Sequence, residues 1–590
     1  MVISCSDDVG WNNKEPISHR DLAFDEELYG TGQNGFSEIF STYTGVNASN
    51  DISEKEILEN QHLMHGSGVA LGDVNGDELI DIYIPRIKED NVLYINKGEW
   101  QFEDFTLAAG VAAPNRYSNG SVFADVDGDR DLDLIVTALG GPNSVFINDG
   151  NGIFVEKKLE SKLNNPGSTS SALADVDNDG DLDLYITNYK RKAMRDSLPP
   201  PAISFDNTLY ESPDGKWEVV PPFNREYEAE VKGDKLFRFE FGEVDQFYFN
   251  DGKGNFNLID ITKENFYSVD GGPIDSHLRD WGLVAQFRDM NNDGHPDIYI
   301  CNDFESPDRI WINNGDGSFS EIEKTAVRHT SNSSMSVDFS DLNKDGYVDF
   351  FVSDMLSQSH IMKKTQMGTM LPTVLLIGEI ENRPQYMRNT LFLNRKDHTF
   401  SEIGQYSKTY ASEWSWASAF MDVDLDGNED MLITTGHVYD VQDSDSIEKQ
   451  KKVASSVRSF DEYKRMLLSF PTLKLKNVAF KNKGNLKFET VKDAWGIGKE
   501  EDISHGMAFG DLDNDGDLDV VINRLNQNVG LFRNDTKSPR VSIRLEGKAP
   551  NTNAIGAKID VIGKNSIQSR EIISGGRYLS GSDHLQVFAA

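Results

Sequence analysis

Aspartates at alternate positions, then a glycine, then one more aspartate opening an apolar run, are the residues of this sequence best placed to do chemistry. The clearest copy is DLDNDGDLD, from Asp511 to Asp519, and it is one of seven. Positions 1, 3, 5 and 9 of that nine-residue loop carry Asp511, Asp513, Asp515 and Asp519, four carboxylates able to converge on one point. The other copies supply Asp73, Asn75, Asp77 and Asp81; Asp125, Asp127, Asp129 and Asp133; Asp175, Asp177, Asp179 and Asp183; Asp289, Asn291, Asp293 and Asp297; Asp341, Asn343, Asp345 and Asp349; and Asp422, Asp424, Asp426 and Asp430. The chemistry implied is capture of a hard cation. Calcium accepts about six to eight oxygens at flexible geometry, whereas magnesium is reluctant to lose its waters, so an all-protein oxygen cage favours calcium. A backbone carbonyl at position 7 would complete the set. Asp, Asn and Gly also build metal-free Asx turns, but seven repetitions with 25 Asp and three Asn weigh for calcium, up to seven ions.

Glycine at position 6 permits the positive φ of a tight turn. The loops at Asp73 and Asp125 depart from this, with Glu78 and Arg130 at position 6 and glycine at position 4, which leaves their occupancy the most open.

Such loops must be held by strands, and each is flanked by two short apolar segments, as in SVFAD before and DLIVTAL after the second copy. These read as the arms of a hairpin. A third segment ending in an Asn turn follows, as in VFINDGNG from Val145, and most copies add a fourth, such as FVEKK or FSEIE. Four strands per unit in seven units predict an all-β seven-bladed propeller. The last unit lacks its fourth strand, while an orphan FSEIF stands at Phe36 to Phe40, before the first loop. The segment Phe36 to Thr42 is therefore expected to finish the last blade and close the ring, which removes open sheet edges.

The loop and its strand context resemble the FG-GAP/VCBS repeats, whose calcium loops also occur in the integrin α propeller. The resemblance spans about residues 36–537 and implies loops that hold each blade's first hairpin, a structural role and not a catalytic one. From Pro539 the pattern changes. Asn553 to Ala557 and GGRYLSGSD from Gly575 resemble part of the ASPIC/UnbV module that follows such propellers in relatives of cartilage acidic protein, so residues 538–590 read as a small partial β module. At the other end, Val2-Ile3-Ser4-Cys5 followed by Ser6-Asp7-Asp8 resembles the lipobox and acidic export signal of Bacteroidetes-type surface lipoproteins. Residues 1–35 then form a polar tether, with Cys5 as the lipidated residue.

The net charge of −39 over 590 residues argues against nucleic acid and against anionic membrane surface as partners. Membrane contact would come only through the lipid anchor. Loop starts are separated by 52, 50, 114, 52, 81 and 89 residues, so three blades carry insertions, near residues 189–245, 354–388 and 436–476. In an up-and-down blade these lie on the face opposite the calcium loops. That face should gather His65, Arg279, Asp280, Trp281, Asn302, Asp303, Trp414, Trp416, His437 and His505. Aromatics beside amides, carboxylates and an arginine suit a glycan or protein ligand; alternatively, Trp281, Trp414 and Trp416 merely fill the channel.

No nucleophile elbow, zinc signature or phosphate loop is present. The first reading is a calcium-stabilised, non-catalytic binding or scaffold protein on the outer face of a bacterial outer membrane, open to a place in an outer-membrane complex. The other reading is a polysaccharide lyase or hydrolase on the same propeller.

Overall fold

Each acidic loop joins two antiparallel strands, because alternating apolar residues on both sides of it can pair only by folding back across the turn. The computed structural model describes residues 2–6, 34–232, 235–261, 265–274, 278–304, 306–366, 383–454, 457, 459–563 and 567–590. Seven sheets radiate from a central channel. The first blade has Ala70–Gly72 innermost, then Asp81–Ile84, Val92–Asn96 and Phe102–Asp104. The next five repeat this order, with innermost strands Ser118–Ala124, Ser168–Ala174, Gly282–Arg288, Ser336–Ser340 and Ser415–Met421. The last has Ser504–Gly510, Asp519–Arg524 and Gly530–Asn534, and its outer strand is Phe36–Glu38 from the N-terminal side. Phe36 pairs with Asn534 and Glu38 with Phe532, so the ring closes as expected.

The aspartate at position 9 builds the blade. In all seven loops one of its oxygens accepts the backbone N–H of position 2 and the other that of an asparagine ending the third strand. Asp133 takes Val126 at 3.0 Å and Asn148 at 2.9 Å; Asp519 takes Leu512 at 2.9 Å and Asn534 at 2.8 Å. The asparagine does a second job. Asn148 Nδ2 donates to Val74 O of the preceding blade at 2.8 Å, and Asn250, Asn313 and Asn394 reach Val126, Val176 and Met290 in the same way. Asn96 carries the same bond across the seam, to Leu512 O at 2.9 Å. Buried amides need such partners, and here the partner is the neighbouring blade.

Five innermost strands carry a bulge where the chain enters, for example between Ser415 and Ser418 and between Ser504 and Met507. A bulge re-aims side chains, and Trp416 and His505 lie within these two.

The segment from Arg540 onward lies across the face that carries the acidic loops and enters the channel. Two antiparallel strand pairs, Arg540–Ile543 with Gln586–Ala589 and Lys558–Ile562 with Ile567–Glu571, rest on the loops, where Thr552 Oγ1 donates to Asp125 and Lys558 Nζ to Gly346 O. Ser574–Gly575 then pairs with Leu173 and Ala172 of the third blade. The following residues bond to inner strands all round the channel: Leu579 O accepts Ser121 N at 3.1 Å, Gly581 N donates to Val69 O at 2.9 Å and Asp583 N to Phe509 O at 2.9 Å. Gly68 makes this possible, since a Cβ there would stand 1.7 Å from Leu579 O. The domain expected at 538–590 is thus interleaved with the propeller. The strand Val2–Ser6 adds itself to Lys558–Ile562, Cys5 opposite Ile559.

Candidate functional site

The seven loops share one backbone. Positions 4 and 6 have positive φ in every copy: Gly76 at 74° and Glu78 at 65° in the first, Gly128 at 78° and Arg130 at 85° in the second, Asn514 at 58° and Gly516 at 91° in the seventh. The departures at Glu78 and Arg130 therefore only exchange which left-handed position carries the glycine. Asp127, Asp175, Asp424 and Asp513 each hold a buried Oδ1 with no hydrogen-bond partner. Carboxylate oxygens of Asp125, Asp127 and Asp133, of Asp175, Asp177 and Asp179, of Asp422, Asp424 and Asp430, and of Asp511, Asp513 and Asp519 converge within 4.8 Å in each loop. Buried, unpaired and convergent anionic oxygens fit a cation. Burial and neighbouring carboxylates push Asp511 up to about 7 and Asp422, by burial and Glu429, also to about 7, the strain a bound ion would relieve. Position 7, expected to give a carbonyl, carries Asp131, Asp181 and Asp517 in three loops, each with a buried unpartnered carboxylate oxygen.

On the opposite face, described residues of the three insertions help to line a cavity of about 450 Å³. The third insertion supplies helices Ser444–Ala454 and Phe460–Arg465 as its roof; the first supplies Tyr189 and Arg195, and the second Met355. Four of the ten anticipated ligand residues, His65, Asp303, Trp414 and His437, line it. Trp414 stacks on His437 with ring centroids 4.5 Å apart. Trp416 lies beneath, 5.5 Å from His65, 4.9 Å from His505 and 5.4 Å from Tyr578 of the channel segment. His65 packs edge-on against Tyr189 at 4.8 Å, and Tyr189 in turn against Trp281 at 4.7 Å. The tryptophans form a floor, while the channel itself is filled by Tyr578 and Leu579.

Burial keeps the histidines neutral: His437 is pushed down to about 4 and His505 to about 3, and His65 lies well below the usual range. Asp303 accepts Tyr189 Oη at 2.7 Å and Phe304 N at 2.9 Å, and burial raises its carboxyl. Two groups on the wall lack partners. Among the described residues, Trp414 Nε1 and Gln442 Oε1 are both buried without a hydrogen bond.

The remaining anticipated residues lie elsewhere. Arg279 donates to Arg225 O at 2.8 Å and covers the Phe241 ring; Asp280 pairs with Arg309 at 2.9 Å; Asn302 Nδ2 donates to Pro307 O at 2.8 Å. Gln442, Tyr463 and Phe470, all in the third insertion, line the cavity but were not among the residues singled out from sequence. Their place in that insertion was their only signal. Cys5 sits in the strand Val2–Ser6, and the tether beyond it, residues 7–33, lies outside the described residues.

The fold and loops define a seven-bladed β-propeller, parts of which are similar to FG-GAP-like repeats. The profile of the FG-GAP-like repeat family matches residues 73–136, 125–186 and 289–352. A stretch of 82 residues, 14% of this chain, is 28% identical to human cartilage acidic protein 1 and, at the same identity and length, to the mouse protein. It spans 12% of the human protein and 13% of the mouse protein. Among solved structures, a lectin of Agrocybe aegerita that recognises non-reducing terminal N-acetylglucosamine aligns over 80% of this chain and 94% of its own, at 14% identity and TM-score 0.37. The intramolecular trans-sialidase of Ruminococcus gnavus aligns over 71% and 94%, at 9% identity and TM-score 0.32.

Proposed function

We propose that this protein is a calcium-stabilised surface-binding module that holds a carbohydrate in the cavity opposite its metal loops. The loops would take up to seven calcium ions, and Cys5 would tether the chain to the outer face of a bacterial outer membrane. The observation that carries the ligand reading is the pair of unpartnered groups on an aromatic wall, Trp414 Nε1 and Gln442 Oε1. A sugar ring offers C–H faces for stacking and hydroxyls that both donate and accept, so it satisfies both groups at once. A volume of about 450 Å³ also falls among small-molecule sites, which span about 300–1,000 Å³, whereas a protein partner ordinarily covers about 800 Å² of open surface.

The test is a glycan array in calcium, followed by titration of the best binder against the wild type, Gln442→Ala and Trp414→Phe. Removing one hydrogen bond should weaken binding about three- to tenfold, with melting unchanged for Gln442→Ala. Failure to bind any glycan would overturn the reading, and capture of a protein ligand by other surfaces would replace it. Release of unsaturated or reducing ends would replace it with the lyase or hydrolase.

A further inference from the structure

The third strand of each blade passes its own acidic loop, and the residue just before the latch asparagine faces that passage. Five blades place an apolar side chain there: Ile95, Ile147, Phe249, Ile312 and Leu393. The sixth and seventh place a base, Lys481 and Arg533. Lys481 Nζ forms an ion pair with Asp424 and lies 3.2 Å from Asp426, positions 3 and 5 of the sixth loop. Arg533 is drawn aside instead, its guanidinium 2.7 Å from Asp535, and Asp511, Asp513 and Asp519 remain convergent. Bases reach two other loops, Lys396 Nζ lying 3.3 Å from Asp345 of the fifth and Arg540 3.0 Å from Asp515 of the seventh, but each touches one of the four ligating carboxylates where Lys481 touches two.

We propose that the sixth loop is closed by the Lys481 ammonium in place of a dication, so that the propeller binds calcium at its other loops and keeps this one shut without it. The inference rests on the calcium reading of the loops. An ammonium held by two of the four ligating positions removes their charge and occupies the space of the ion, and like charges a few ångströms apart repel. The donor set is otherwise complete. Asp424 keeps a buried, unpartnered Oδ1, and Asp422, Asp424 and Asp430 converge as the aspartates of the second loop do. The location gives such a device a use. Thr536 Oγ1 donates to Val423 O at 2.9 Å and Ser538 Oγ to Asp424 O at 3.0 Å, so the chain leaving the last blade leans on this loop. A permanent internal cation holds that junction when calcium is scarce.

Calcium bound per chain, counted by equilibrium dialysis of the metal-free protein against calcium chloride, tests this on the wild type, Lys481→Ile, Lys481→Gln and the reciprocal Ile147→Lys, with melting curves to establish folding. Either Lys481 variant should bind one calcium more than the wild type, and Ile147→Lys should bind one fewer. Equal, non-zero counts in the wild type and both Lys481 variants would overturn the proposal while leaving the other calcium loops in place. Zero in every protein would overturn the calcium reading with it.

Discussion

The ninth aspartate of each loop is the residue on which the blade depends, and on which the proposed calcium would depend too. In Asp183, Oδ2 accepts Val176 N at 3.1 Å and Oδ1 accepts Asn250 N at 3.0 Å. An asparagine would turn an N–H toward one of these donors, so Asp183→Asn should cost about 1–3 kcal/mol in denaturant unfolding even without metal. Burial pushes Asp133 and Asp349 up to about 8 and Asp183 and Asp430 up to about 9, from an ordinary 3.8. The metal-free folded chain then holds protons that the unfolded chain has released. Its stabilisation by these protons is complete below the ordinary value and is lost as pH rises through about 8 to 9. In chelator the melting temperature should therefore fall between about pH 5 and pH 8, while the rise in melting temperature on adding calcium should grow over that window, because the ion needs the carboxylates ionised. Melting scans with EDTA and with calcium check both signs; a chelated protein that gains stability with pH contradicts the burial argument.

At the scale of strands and loops, local pattern carried much of the fold. Loop spacing, flanking β-rich runs and the stray FSEIF at Phe36 were enough to place the blades and the closing strand, because hairpins are encoded by neighbouring residues. The asparagines looked like turn residues, yet Asn148 and Asn250 are latches between blades, and their partners Val74 and Val126 lie 74 and 124 positions away. Periodicity carries no sign of such a partner. The cavity was legible in part for the same reason: Trp414 and His437 flank strands whose direction the pattern fixes, whereas Gln442 and Tyr463 depend on how an insertion folds over them. Closure gives a prediction at this scale. Phe36 is buried at the seam, so Phe36→Ala should destabilise by about 3–5 kcal/mol and raise hydrogen exchange first in Gly530–Asn534, its pairing partner. Uniform loss of protection across all blades would mean the seam is not the weak point.

For the whole molecule, the segment after Arg540 is the element that touches both faces. Asn553 to Ala557 and GGRYLSGSD made it read as a separate module, and nothing in those motifs says that it threads a channel; that follows from close backbone approaches, above all at Gly68 of the first blade and at Gly575 of the segment itself. Gly575 has φ +70°, and a Cβ there would stand 2.3 Å from Ser171 O. The threaded segment joins the faces: Thr552 rests on Asp125 in a metal loop, while Tyr578 Oη donates to His65 O at 3.0 Å beside the cavity. Gly68→Ala would drive a methyl into Leu579 O, and because that contact is with backbone the plug must move as a unit. The expected result is loss of exchange protection from Arg577 to Ser582, a changed near-ultraviolet dichroism from the Trp416 and Tyr578 pair, and weaker ligand binding at the cavity, with the outer strands still protected. Tyr578→Phe removes only the hydroxyl donor and should leave the plug seated. If Gly68→Ala keeps full protection of the plug, the propeller tolerates the methyl by opening its inner ring, and coupling between the faces does not run through this segment.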